Sequence, residues 1–215
     1  MHIFRFVVIA AASLLSFAAF AEESATSATQ LTPDALVQHV TEDVLALLKQ
    51  QNKGGKESNT QKTIDMVEAK VLPHFNFNHM TALAVGREWN KASATQKTTL
   101  AQQFHDLLVR TYANAVTSYS GQKVRYKPFK MKPEETDVLV RTEIQQPGGR
   151  PIQLDYSLEK TDNGWKVYDV VVAGVSLVTN YRASFSEEVR KGGIDGLIKS
   201  LSDKNASLKK NQEKP

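Results

Sequence analysis

The chain of 215 residues contains no cysteine. That excludes disulfide staples, thiolate nucleophiles and every zinc site built on sulfur ligands. A chain this long can bury a core without staples, so the absence carries no structural penalty. Also lacking is an apolar run of membrane-spanning length. The longest, Phe6 to Phe20, covers 15 residues, whereas a transmembrane helix needs roughly 20. No internal repeat appears, and no linker is long enough to divide the chain.

Catalytic constellations are missing as well. Gly174-Val175-Ser176-Leu177-Val178 follows a nucleophile elbow for three residues but lacks the closing glycine. Ser176 reads instead as a helix N-cap. His74 and His79 lie five apart, the wrong spacing for two zinc ligands on one helix face. His105 follows a core-facing Phe104 and reads as a surface histidine. Asp155 and Asp169 fall on neighbouring strands, and paired carboxylates can do acid–base work. Both hold the polar phase of amphipathic strands, which makes them solvated positions. "PGGRP" sits between strands and not before a helix, so it is a hairpin turn and not a phosphate loop. The reading is therefore no catalytic set, no metal site and no cofactor.

What is present begins with a leader. Arg5 precedes the apolar run, and Ala19-Phe20-Ala21 closes it. A positive start, an apolar middle and an A-x-A end in that order form a cleavable signal peptide over residues 1–21. The remainder is expected to be exported and soluble, with a small, polar, disordered start at 22–31. The formal net charge of +4 falls to +3 without Arg5. Much of it lies in "KNASLKKNQEKP", so 203–215 reads as a frayed polar tail. Outside the cytoplasm a mild positive balance gives no reason to expect nucleic acid as a partner.

Between those ends the period of the apolar residues changes twice. Thr32-Pro33-Asp34 opens a helix, and Leu36, Val37, Val40, Val44, Leu47 and Leu48 hold one face of it. A second helix carries Ile64, Val67 and Val71 and stops before Pro73. A short third helix runs from about Asn78 to Val85. Ser93 and Gln96 make a capping box for the longest helix, whose stripe runs from Leu100 to Tyr119 and ends at Gly121. Period 2 then takes over. Val124 and Tyr126, Val138 to Ile144, Ile152 to Leu158 and Trp165 to Ala173 alternate as strands, with "PGG" and "DNG" turning the chain between the last three. Helical spacing returns from Val178 to Val189, stops at Gly192-Gly193, and resumes at Ile194, Leu197, Ile198 and Leu201. The fold class is α+β: a four-stranded twisted antiparallel sheet with one wet face, packed against several helices in a single domain spanning 32–202.

"DVVVAGVSLVTNYRASF", residues 169–185, does not fit an ordinary half-buried strand. Val170, Val171 and Val172 point alternately to both faces, and Val175, Leu177 and Val178 follow at once. Together with "VLPHFNFNHM", "ALAVGREWNKAS", "QFHDLLVRTYANAVTSYSGQKVRY", "PGGRPIQLDYSLEK" and "GIDGLIKSL", this stretch resembles the MlaC family of periplasmic phospholipid-binding, or toluene-tolerance, proteins. The resemblance runs from about Leu31 to Ser202. It implies an internal apolar pocket and a shuttle that carries phospholipid between an outer-membrane MlaA–porin complex and the MlaD ring of the inner-membrane MlaFEDB transporter. It also implies a monomer that keeps outer-membrane lipid asymmetric and hydrolyses nothing.

On that resemblance Val175 and Thr179 match lipid-contacting positions at the pocket mouth, and Ile152 and Leu154 match positions on the neighbouring strand. Strand parity and the helix stripe add Val172, Tyr156, Tyr168, Tyr112 and Val116. Burial of a methylene is worth about 0.8 kcal/mol, so roughly 30 of them in two acyl chains need some 25 kcal/mol of shelter. Both chains must then be enclosed, while a charged headgroup stays in water. Two other readings stay open on the residues alone. One is an exported enzyme on a hydrophobic substrate with Asp155 or Asp169 as base. The other is a docking module that uses the apolar end of the sheet.

Overall fold

The alternating stretches pair as their apolar phase requires. The structure, a computed structural model, describes residues 30–53, 60–117, 121–146 and 148–212. Strands β1 (Lys123–Tyr126), β2 (Asp137–Gln145), β3 (Ile152–Thr161), β4 (Gly164–Val172) and β5 (Val175–Ser176) form one antiparallel meander in that order. Four strands are those expected. The fifth is two residues long and arises because Ala173 and Gly174 both take positive φ, 50° and 86°. Consecutive left-handed residues make the tight hairpin that suits twisted strands, and Val175 folds back beside Val172. Tyr168 is an extra residue in β4: Ser157 pairs with Asp169 and Leu158 with Val167, leaving it in a bulge.

Val138 and Val140 of β2, Leu158 of β3, and Val167 and Val170 of β4 share one buried face. They pack with Leu36 and Val37 from α1 (Pro33–Lys53). Thr142 is buried among them because its hydroxyl donates to the Leu154 carbonyl at 2.8 Å. A buried hydroxyl with that partner costs little.

The remaining helices pack mainly on one another. α3 (Phe77–Val85) begins where Asn76 Oδ1 accepts the His79 amide at 3.1 Å. α4 (Ala94–Thr117) begins with the expected box: the Gln96 amide donates to Ser93 Oγ at 3.2 Å, and the Ser93 amide to Gln96 Oε1 at 2.9 Å. α5 (Leu177–Gln212) is two helices joined at Gly193, whose φ of 67° and ψ of −167° only glycine adopts without strain. Met80, Leu100, Phe104, Phe185, Leu197 and Leu201 from α3, α4 and α5 make a second core cluster. Phe104 meets Tyr181 and Phe185 edge-on, with ring centres 5.2 Å apart in each case. α2 (Thr60–Lys70) adds a third, small cluster through Ile64 and Val109, with Leu72 of the following 3-10 turn (Leu72–His74) against them.

One expectation is corrected here. The C-terminal tail is helical to Gln212, because Asn205 is buried and donates to the Gln103 carbonyl and side chain, both at 2.9 Å. Gln212 Nε2 likewise donates to the Arg110 carbonyl at 3.0 Å. Only 213–215 of the expected tail lie outside the described residues, as do the expected leader and most of the segment before α1.

Candidate functional site

The three core clusters do not merge, and a cavity of about 140 Å³ lies where they meet. α2 supplies Ile64 and Val67, with Val71 just beyond its end, as one wall. Leu72 and Phe75 from the turn after it close one side, with Phe77 and Met80 of α3 beside them. α4 gives Leu108, Val109 and Tyr112. Val170 of β4 and Leu177, the first residue of α5, form the sheet side. Every lining side chain except Tyr112 is a hydrocarbon or a thioether. What such a lining offers is mainly dry contact surface. Among the described residues no cluster of histidine and carboxylate side chains could hold a metal ion.

Cross-strand pairing extends this apolar surface to the outside. Val170 pairs with Tyr156, which pairs with Val140; the next row is Thr142, Leu154, Val172 and Val175. Residues paired across a sheet share a face. The face that carries Val170, which lines the cavity, therefore also carries Val175, which is 56 % exposed at the end of the sheet.

One carboxylate sets this end of the sheet. Asp169 Oδ1 accepts the Val170 amide at 2.8 Å and the Val178 amide at 3.2 Å, while Ser176 Oγ donates to Oδ2 at 2.5 Å. Ser176 Oγ in turn accepts the Thr179 amide at 3.0 Å, so it is the N-cap that the sequence indicated. Asp169 thus ties β4, β5 and the start of α5 together.

Of the residues expected to touch a ligand, Tyr112 lines the cavity. Leu154, Tyr156 and Val172 do not line it; they pack on the sheet cluster that contains Val170, and burial pushes the Tyr156 hydroxyl well above its ordinary pKa. Ile152, Val175 and Thr179 lie at the outer end, where the row opens and α5 starts. The side chain of Val116 lies outside the described residues. Tyr168 is elsewhere: the bulge turns it away from the row, its ring stacks on His79 at 4.5 Å, and its hydroxyl donates to Asp137 at 3.0 Å. Burial, then the Asp137 carboxylate, pushes that hydroxyl up to about 12. Strand parity misplaced it because parity cannot see a bulge.

Asp155 and Asp169 are not the solvated pair expected. They occupy the same face two residues out of register, but Asp155 is buried and bonded to Gln153 at 2.6 Å, and Asp169 spends both oxygens on the sheet end. His105 is half-buried, its ring edge against Phe77 and its Nδ1 2.7 Å from Asp106. Burial would raise the Asp106 carboxyl, yet hydrogen bonds from His105 and Gln102 hold it below the usual range.

The α2 wall was missed as a ligand surface, although Ile64, Val67 and Val71 were read as its apolar stripe. A stripe looks the same whether it meets a core or a slot. Phe75, Phe77 and Met80 lie in "HFNFNHM", whose turn-rich surroundings hide any period.

With the geometry in place, comparison with known proteins gives a consistent answer. A family model described as MlaC protein matches residues 38–203. The intermembrane phospholipid transport system binding protein MlaC of Haemophilus influenzae is 29% identical over 177 residues, 80% of this chain and 82% of that protein. The toluene tolerance protein ttg2D of Pseudomonas putida is 25% identical over 165 residues, 76% of each chain. Among solved structures, a phospholipid-binding protein from Ralstonia solanacearum in complex with a phospholipid superposes with a TM-score of 0.75 at 37% identity. That match covers 83% of this chain and 99% of the other. The expected fold class agrees with that structure. A family match over most of the chain, on a sheet-and-helix frame with an apolar interior, leads to one conclusion: this chain belongs to the MlaC family.

Proposed function

We propose that this chain is a periplasmic phospholipid carrier, moving lipid between an outer-membrane MlaA–porin complex and MlaD of the inner-membrane MlaFEDB transporter. The observation that carries the reading is the apolar cavity between three unmerged core clusters, with the apolar sheet face continuing from Val170 towards the exposed Val175. Acyl chains enter past Val175 and Thr179, run along Ile152, Leu154, Tyr156 and Val172, and end against α2 and Tyr112. The headgroup stays in water, where its charge needs no protein partner. Binding changes no covalent bond, so the carrier needs no cofactor, and the leader at 1–21 is removed on export.

Native mass spectrometry of the gently purified protein, followed by lipid extraction, tests the reading. A one-to-one phospholipid adduct is the expected result. A bare polypeptide that remains bare after incubation with phospholipid vesicles would overturn it. Val175→Glu sharpens the test. At an exposed position the substitution should change stability by no more than about 0.5 kcal/mol, while placing a charge where acyl chains pass. The variant should be folded and lipid-free.

A further inference from the structure

A second hollow lies away from the apolar one, between the end of α3 and the first half of α5. Its volume is about 640 Å³, and three arginines line it: Arg87, Arg182 and Arg190. Gly86, at φ 69° and ψ −139°, reverses the chain after α3 and starts the 3-10 turn (Gly86–Lys91) that carries Arg87. Val85 and Val189 are the apolar part of the lining, and Ser186 and Glu88 complete it.

The local acids are already engaged. Glu88 pairs with Lys91 at 2.9 Å, and Glu187 and Glu188 both reach Lys191, at 2.7 and 3.7 Å. Arg182 donates from Nε and Nη2 to the Leu83 carbonyl at 3.1 and 2.8 Å, which closes the C-terminal end of α3 and fixes its guanidinium in place. A guanidinium has five N–H donors, so the others remain for a ligand. Among the described residues neither Arg87 nor Arg190 is in a close ion pair, although the Arg190 charge, after that of Lys191, helps hold the Glu187 carboxyl below its usual range.

We infer that this hollow binds a phosphate-bearing anion, held by Arg87 and Arg190 against the fixed Arg182. Planar guanidinium forks match the oxygens of a phosphate, and a hollow of this size admits a phosphoester with its glycerol or alcohol part. The group comes either as a soluble phosphoester or as the headgroup of an anionic membrane surface on which the carrier rests. The site is independent of the acyl-chain cavity.

The test uses the full mature chain. In the first arm, sn-glycerol 3-phosphate is titrated and followed by amide NMR shifts. In the second, the chain is floated with vesicles of phosphatidylglycerol in phosphatidylcholine and with phosphatidylcholine alone. Saturable shifts at Gly86, Arg87 and Arg190 establish the soluble source, and flotation only with the anionic vesicles establishes the membrane source. In either case Arg87→Glu with Arg190→Glu should weaken the effect about tenfold or more, with the content of co-purified lipid unchanged. Arg87→Lys with Arg190→Lys keeps the charge and should retain part of the binding. No shift at millimolar glycerophosphate together with equal flotation on both vesicles overturns the proposal. So does binding that the Glu pair leaves intact. Because the readouts do not involve the cavity, failure of the carrier reading leaves this test decisive.

Discussion

Ser176 stands at a junction that single substitutions can dissect. Its hydroxyl accepts the Thr179 amide and donates to Asp169, which also holds two backbone amides. Ser176→Ala removes a cap and should cost about 1–2 kcal/mol. Asp169→Asn keeps the shape but turns one acceptor into a donor facing a donor, so it should cost about 2–3 kcal/mol. Urea unfolding checks both. If Asp169 were instead a catalytic base, the Asn variant would lose turnover with little loss of stability. Tyr168 provides a separate readout. Its folded pKa of about 12 lies above the ordinary 10.0, so the folded state keeps a proton there that the unfolded state loses. The stability this contributes is complete below pH 10 and is lost as pH rises towards 12. An ultraviolet difference titration against Tyr168→Phe should show one tyrosine ionising near 12. Asp137→Asn, which removes the charge but leaves an acceptor, should bring that ionisation down.

Elements were legible in proportion to how much of their length obeyed one period. The capping box of α4, the stop before Pro73 and the alternation of β2 and β3 are local signals, and each is found in place. β5 was invisible because two residues have no period, and the hairpin that creates it places a left-handed alanine where sequence favours glycine or asparagine. The last helix was cut short for the opposite reason. Its composition from Lys204 on is that of a tail, and the contacts that order it are with residues about a hundred positions away, Gln103 and Arg110. The candidate site was half legible: sequence singled out the outer rows of the sheet, while the helical wall looked like ordinary core. The C-terminal helix is therefore testable as an element. Truncation after Ser202 removes two hydrogen bonds of Asn205 and the packing of Leu208, which should lower stability by about 2 kcal/mol or more. Chemical denaturation of the truncated chain checks this, and an unchanged midpoint would restore the reading of a tail.

For the whole molecule the decisive quantity is volume. A cavity of about 150 Å³ holds one benzene-sized guest, and the one here is about 140 Å³. Acyl chains of phospholipid length need several times that, so under the carrier reading proposed above loading must move a wall. The sheet side is held by ladder hydrogen bonds, and α4 is locked between α3 and α5. α2 is the exception. Its main contacts are with α4, the turn after it and α1, while its Ile64 and Val67, with Val71 just beyond its end, line the cavity. A short helix outside the sheet ladder opens at less cost than a strand within it. The absence of cysteine makes this directly testable, since a disulfide added to the chain has no competitor. Ile64 and Val109 pack together across the α2–α4 contact. Ile64→Cys with Val109→Cys, oxidised after lipid removal, should pin α2 and block uptake of phospholipid from vesicles. Reduction should restore uptake in the same sample, which separates pinning from damage to the wall. Equal uptake by the oxidised and reduced forms would mean that another wall moves. The sheet end at Val175, where the apolar row already reaches the surface, would then be the next to pin.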